Sequence, residues 1–455
     1  MLGFITKLLR TFGFNRAVGY GVLTRAWSLF SGPITLLVIA TKFSKEQQGF
    51  YYTISSLLAL QVFFELGLVY VLAQFTSHEF VSLTWDSRGG IEGNSAAKER
   101  VIDLLCKAIR WFGLAAFLLI IVLVPIGFIF LNQQHGPDTG FAWRIPWALA
   151  VFSTAMNLLI VPFYAVIMGS GDVVTVNHRE MLGAIISSFI AWTVIGLSGG
   201  LYAVFAINCG TLLVSCTYLL RQKPQLLKLV WDGVLGANKY IPSENKISWW
   251  SEVWPIQWKI AISWISGYFI FQLFNPVLFH YHGAVVAGRM GMTLSVSNAL
   301  LTACSTWMTS LSPKFGKYIA IKNWHALDLE FFRGLWQSVV VVILGALVGW
   351  QTISFLQKYF QIGQRFIPAN EAAILFAAIC VQIIINALGI YVRAHKQEPF
   401  MPLAIMVAII QAATTWFLGM NYSTLGVVTG LLIVNTFIAL PCVYLIWSRY
   451  RKMNH

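Results

Sequence analysis

The sequence predicts an all-α polytopic membrane protein: twelve transmembrane helices in two six-helix bundles, related by a pseudo-two-fold axis along the membrane normal. Three observations carry that expectation. Apolar residues make up 58% of the 455-residue chain and charged residues 11%, with a mean hydropathy of +0.71. Lipid solvates so much apolar surface and water does not. Windows of about 19 residues find runs long enough to span a bilayer along the whole chain. A short motif also recurs at the first helix of each half.

The expected helices lie near 17–42, 48–76, 109–131, 145–168, 173–197, 199–220, 254–278, 283–312, 334–356, 370–393, 400–420 and 424–447. No strands are expected, because an open sheet leaves backbone groups unsatisfied in lipid. The run after Arg16 is too long for the core of a cleaved signal peptide. Loops on the side opposite the N-terminus are short, the longest near 132–144, which leaves no room for an external catalytic domain. The two longest loops, near 77–108 and 221–253, lie on the N-terminal side. The second divides the chain into an N-terminal bundle, 1–221, and a C-terminal bundle, 222–455.

Net charge is +14, from 31 Lys and Arg against 17 Asp and Glu. Most of the cations flank spans on the N-terminal side, including Lys7, Arg10, Arg16, Arg88, Lys98, Arg100, Lys107, Arg110, Lys239 and Lys246. Such a bias places both termini in the cytoplasm, with the rest of the excess meeting anionic headgroups. It gives no reason to invoke nucleic acid. None of the six cysteines forms a CxxC pair, so no disulfide framework or zinc site is expected. No Walker loop, GxSxG elbow or HExxH is present, so neither ATP nor an enzyme's nucleophile is indicated and no cofactor is expected. Trp250, Trp254 and Trp258 recur at a spacing of four, which puts them on one helical face, as an interfacial belt or a substrate-stacking stripe.

The repeat pairs "AWSLFSG" at 26–32 with "AISWISG" at 261–267, matching Ala26 with Ala261, Ser28 with Ser263, Ser31 with Ser266 and Gly32 with Gly267. Arg25 precedes one copy and Lys259 the other. Each copy leads to a following helix that opens near a glycine, Gly49 or Gly288. Halves with an even number of helices enter from the same side, which makes the repeat parallel.

The candidate substrate-binding residues are Arg25, Arg179, Lys259 and Arg289, with Glu65 as charge partner or ion-coupling group. Arg25 lies about eight residues into its helix, roughly 12 Å deep, and Glu65 roughly 16 Å deep in the antiparallel second helix. A pair between them would relieve the insertion cost of both, about 2.5 kcal/mol or more for each charge. Arg179, in "VTVNHREMLG" one or two turns into the fifth helix, is either a second lumen cation or a charge at the cytoplasmic mouth. Lys259 either snorkels to the interface or faces the lumen. His280, His282 and Arg289 sit on the outer side, and two histidines without a third ligand do not specify a metal. Gln272, Gln382, Asn386, Gln411 and Asn435 read as polar contacts between helices.

The stretch "RAWSLFSGPITLLVIATKFSKEQQGFYYTISSLLALQVFFELGLVYVLAQF" resembles the first two helices of O-antigen-type polysaccharide flippases of the multidrug/oligosaccharidyl-lipid/polysaccharide exporter superfamily. "GAVVAGRMGMTLSVSNALLTACSTWMTSLSPKFGK" is similar to that family's eighth helix, and "YVRAHKQEPF" fits the segment between helices ten and eleven. The resemblance implies a V-shaped pair of bundles around a central cavity in a bacterial inner membrane. It implies that an undecaprenyl-pyrophosphate-linked oligosaccharide crosses from inner to outer leaflet by alternating access, with ion coupling. A single chain would act as a monomer among membrane lipids and pass its cargo to glycan polymerase machinery. The cationic cavity role falls to Arg25, with Arg179 and Lys259 beside it. Arg289 and the preceding histidines depart from the pattern at the outer gate. The alternatives are a multidrug antiporter of the same fold and a peptidoglycan-precursor flippase.

Overall fold

The structure, a computed structural model, describes residues 16–132, 140–234, 246–395 and 399–454. Lys7, Arg10, Lys239 and most of the loop near 132–144 lie outside the described residues. Nine of the described helices are long and apolar enough to cross a membrane, eleven when two bent pairs each count as one span. The protein is an all-α, multi-pass membrane protein.

The chain packs as two compact units that do not follow sequence order. One comprises Met1–Ser31, Leu60–Phe130 and Gly140–Trp264; the other comprises Gly32–Ala59, Leu131–Thr139 and Ile265–His455.

In the first unit, α1 (Arg16–Lys42) contributes its opening half. The span expected as one helix over 48–76 is broken: α2 (Lys45–Leu58) and a 3-10 turn lead to the short α3 (Val62–Glu65), and α4 (Leu68–Glu79) resumes after Leu66 and Gly67. Both linking residues are left-handed, with φ of 49° and 65°. The glycine is needed twice over, because a Cβ at Gly67 would also lie 2.4 Å from Ile260 Cγ2. The unit continues through α5 (Ser95–Asn132), α6 (Arg144–Gly169), α7 (Val173–Gly196), α8 (Tyr202–Gln222), α9 (Pro224–Val234) and the start of α10 (Trp254–Phe271).

Strands do occur, against expectation, in the 77–108 loop. β1 (Leu83–Trp85) pairs antiparallel with β2 (Ile91–Gly93), with Thr84 opposite Glu92. Asp86 closes the turn by accepting from the N–H groups of Arg88 (2.7 Å) and Gly90 (2.6 Å). The hairpin carries no spanning run and needs no lipid-satisfied backbone. Leu83 and Ile91 join a core with Val101, Leu105, Val166, Ile167, Leu219 and Leu226, so the hairpin seals one end of α5, α6 and α8. Trp85 Nε1 donates to Ser170 Oγ at 2.8 Å, and Lys223 Nζ lies 3.7 Å from the centre of the Trp85 ring. Burial lowers the Lys223 ammonium from its ordinary pKa, and Asp172, 3.6 Å away, works against that. Ile247 is tied to α5: its N–H donates to Asp103 and its carbonyl accepts from Lys107. Arg100 bridges Glu79 and Glu252 at 2.8 and 2.7 Å.

In the second unit, Ser44 and Gln47 form a reciprocal capping box that starts α2. That helix lies directly on α12 (Ala284–Ala320). Gly49 and Gly288, which occupy corresponding places in the two halves of the sequence, touch: a Cβ on Gly288 would lie 2.8 Å from Gly49 N. Gln48 Nε2 donates to the carbonyls of Gly288 and Arg365, and Arg365 Nη2 donates to the Phe43 carbonyl. The helix expected over 254–278 is bent, with α11 (Phe274–His282) following α10. Next come α13 (Trp324–Tyr359) and α14 (Ala369–Arg393). α15 (Met401–Val434) reverses at Ser423, whose φ is 56°. Gly430 therefore abuts Leu418 and Thr414, residues that a straight helix would hold roughly 18 and 24 Å away. A π turn over Asn435–Ala439 leads into α16 (Leu440–Asn454). Phe315, Phe331, Tyr391 and Trp447 fill the main core.

Gly49 is the least replaceable of these contacts, since a Cβ there would fall 1.8 Å from the Ala284 carbonyl oxygen. Gly49→Val is expected to cost about 2 kcal/mol or more, read as a lowered thermal midpoint of the purified protein. Gly267→Ala, where nothing lies within 4 Å, should leave the midpoint unchanged.

Candidate functional site

α6, α7, α8, α10 and the broken second span enclose a cavity of about 400 Å³ in the first unit. Its wall is polar for a membrane interior. Glu65 enters from α3, Arg179 and Glu180 from α7, Thr154, Asn157 and Tyr164 from α6, Asn208, Thr211 and Ser215 from α8, and Trp264 from α10.

Amides and hydroxyls fix this wall. Asn157 Nδ2 donates to the Asn208 carbonyl at 3.0 Å, and Asn208 Nδ2 donates to Thr154 Oγ1 at 2.9 Å. Tyr164 Oη donates to the Ser215 carbonyl at 2.9 Å. The close approach of α7 and α8 rests on Gly210, where a Cβ would lie 2.7 Å from Ser187 Oγ. Helices in lipid associate through such small residues and hydrogen bonds, because the hydrophobic effect does not drive them together.

Arg179 is the cation held in this frame. Its guanidinium stacks over Tyr164 with Cζ 4.1 Å from the ring centre, which is worth about 2 kcal/mol in a desolvated setting. Nη1 reaches Ser215 Oγ at 3.5 Å and Nη2 lies 3.8 Å from Glu180 Oε1. The buried Nε has no hydrogen-bond partner among the described residues. Of the five N–H groups of the guanidinium, only one on Nη1 makes a hydrogen bond among the described residues, so terminal donors remain for a ligand, and a guanidinium suits a phosphate oxygen. Beside it, His178 Nδ1 meets Tyr218 Oη, and its ring packs 4.6 Å from that of Tyr20.

Glu65 reaches the cavity because its helix ends there. The expected pair with Arg25 does not form: no ion pair joins them among the described residues, and Arg25 is exposed and outside the cavity wall. Matching depth was not enough, because the break at Leu66–Gly67 redirects the second span and places Glu65 against α6, α7 and α8. Lys259 is also exposed, its Nζ 5.8 Å from the centre of the Trp258 ring. Trp250 and Trp254 pack edge to face at 5.6 Å. Arg289 lies in the second unit with Glu371 as its charge neighbour. His282 Nε2 lies 2.7 Å from the Gly419 carbonyl. The cavity thus brings together Glu65 and Arg179, and adds Tyr164, Asn157, Asn208 and Trp264, which sequence reasoning missed. Their one signal was a scatter of Asn, Thr, Ser and Tyr in otherwise apolar helices. Trp264 stood inside the repeated "AISWISG" without being marked.

No known family model matches the sequence, and no curated protein sequence matches it. Solved structures do. An inward-facing multidrug resistance MATE family transporter of the MOP superfamily superposes with a TM-score of 0.61 at 13% identity, covering 92% of this chain and 98% of the other. The inward closed lipid II flippase MurJ gives 0.60 at 14%, covering 95% and 87%. The eukaryotic MATE transporter AtDTX14 gives 0.60 at 12%, covering 98% of each. The chain has the fold of these transporters.

Asn208→Leu removes the donor to Thr154. It is expected to destabilise the protein by about 1–3 kcal/mol, read as a lower denaturation midpoint. Asn421→Leu, which loses only a bond within its own exposed turn, should not change it.

Proposed function

We propose that the protein is a flippase that carries an undecaprenyl-pyrophosphate-linked oligosaccharide, the repeat unit of an O-antigen-type polysaccharide, from the inner to the outer leaflet of a bacterial cytoplasmic membrane. It works by alternating access as a monomer, without a cofactor, with both termini in the cytoplasm. Glycan polymerase machinery then receives the cargo. The observation that carries this reading is Arg179: a guanidinium stacked on Tyr164, its terminal donors only partly taken among the described residues, in a cavity whose wall adds amides and hydroxyls to Trp264, two glutamates and aliphatic side chains. Pyrophosphate calls for the first and sugar hydroxyls for the second. Arg25, Lys259 and Arg289 serve as further phosphate contacts during passage. The contact of Gly49 with Gly288 supports a two-fold relation between the repeats 1–221 and 222–455, since residues related by such an axis meet on it. Twelve crossings fit that relation.

A second reading draws on Glu65. An acid in the same cavity suits an organic cation, as in a multidrug antiporter of this fold, and in the flippase it takes up the coupling ion. A peptidoglycan-precursor flippase would use the same cationic chemistry on a different glycan.

Export measured as surface glycan in cells lacking their own flippase tests the proposal. Arg179→Gln is expected to reduce surface glycan at least tenfold, with protein still present in the membrane. Wild-type glycan in that variant would overturn the flippase reading. Glu65→Gln should slow export if Glu65 carries the coupling ion, and resistance to cationic dyes lost in Glu65→Gln with glycan unchanged would favour the antiporter.

A further inference from the structure

The second unit holds a separate cavity of about 200 Å³. A polar stripe runs along α14 on one side of it. Gln382, Asn386, Gly389 and Arg393 recur at intervals of four, three and four, one face of the helix. Opposite lie apolar side chains, among them Phe400, Leu403 and Val407 of the segment that opens α15 and Val443 of α16.

The stripe does more than join helices. Asn435 Nδ2 donates to Gln382 Oε1 at 3.1 Å and to the Ala378 carbonyl at 3.4 Å, which does tie the π turn to α14. Gln382 Nε2 then donates to Asn386 Oδ1 at 3.0 Å. Asn386 sits on the same helix as Gln382, so that bond holds no helices together; it orients the Asn386 amide with its nitrogen uncommitted on the cavity wall. No acceptor for that nitrogen is found among the described residues. Arg393 folds back along its own helix: a Cβ on Gly389 would lie 3.3 Å from Nη1. The guanidinium packs over Phe400 with Cζ 5.2 Å from the ring centre. It therefore lies beside Gly389, one turn from Asn386, a rise of about 4.5 Å. Gly389 supplies the space that lets the two groups converge.

We infer that this cavity binds the headgroup of a lipid in which a phosphate adjoins a hydroxylated carbon skeleton. The phosphate meets the Arg393 guanidinium, the planar fork that suits phosphate oxygens. The hydroxyls meet the Asn386 and Gln382 amides, and the apolar wall takes the first carbons of the chain. The volume corresponds to about six or seven waters, enough for one such headgroup and too small for an oligosaccharide. Two membrane components carry this chemistry: a phosphoglycerol lipid and a polyprenyl-phosphate-linked sugar. The site is distinct from the Arg179 cavity and its occupancy is measured without transport.

Native mass spectrometry of the full chain in detergent gives the test, with phosphatidylglycerol and farnesyl phosphoryl glucose as probes and phosphatidylcholine as control. At least one probe is expected to bind tenfold or more tighter than phosphatidylcholine. Gly389→Leu, which fills the cavity while removing no polar group and favours helix, should weaken that probe at least tenfold. Asn386→Leu should do the same, and Arg393→Lys should weaken it less than Arg393→Gln. Selectivity for phosphatidylglycerol alone assigns the site to bulk lipid, and selectivity for the prenyl sugar alone assigns it to the carrier. Equal binding of both probes and phosphatidylcholine, or unchanged binding in a monodisperse Gly389→Leu protein, overturns the inference and leaves a water-filled cavity.

Discussion

A guanidinium among membrane helices has to be held by something other than water, and the arrangement of the first unit follows from how Arg179 is held. A charge at the centre of a spanning helix costs at least about 2.5–3.5 kcal/mol, and Arg179, within the first two turns of α7, carries part of that cost. The Tyr164 face returns about 2 kcal/mol of it. Ser215 and Glu180 take contacts from the two terminal nitrogens. For Tyr164 to lie flat beneath the charge, α6 must be fixed against α8, and the Tyr164 hydroxyl on the Ser215 carbonyl does this. The same residue thus supports the charge and the helix pair. Among the described residues Nε has no partner and the terminal nitrogens are only partly matched, which is why the site reads as a receptor for an anion and not as a closed structural pair.

Close backbone approach supplies the rest of the frame. With lipid as apolar as any leucine, helix pairs are held by packing and by hydrogen bonds. Gly169 against the Ala73 carbonyl, Gly210 against Ser187 and Gly49 against Ala284 are sites where a Cβ would collide. The break at Leu66–Gly67 is the one place where the backbone departs from helix to bring a carboxylate to the cavity. Its cost, about 1–2 kcal/mol for a left-handed leucine, is met by packing at Ile260, where only a glycine fits next in sequence.

Much of the fold was legible because lipid imposes length and polarity on every span. Most expected helix boundaries agree with the structure to within a few residues, as in α6, α7 and α14. What was not legible has local causes. The hairpin at 83–93 is too short and too polar to register in a spanning window, and its turn depends on Asp86 and two glycines. The sequence "ELGL" contained the break, but hydropathy runs straight through it. That break also undid the Arg25–Glu65 pair: equal depth says nothing of the direction in which a bent helix faces. The sequence marks Arg179 only as a candidate, open between a lumen cation and a charge at the cytoplasmic mouth, and does not mark its stacking partner Tyr164, since an aromatic in a membrane helix carries no such signal.

The most direct test of the account is a structure of the full chain determined with a short-chain polyprenyl pyrophosphate. Phosphate density within hydrogen-bond reach of the Arg179 guanidinium, in the cavity lined by Asn157 and Asn208, is the predicted result. Well-defined pyrophosphate density elsewhere, with the Arg179 cavity empty of ligand, would contradict it.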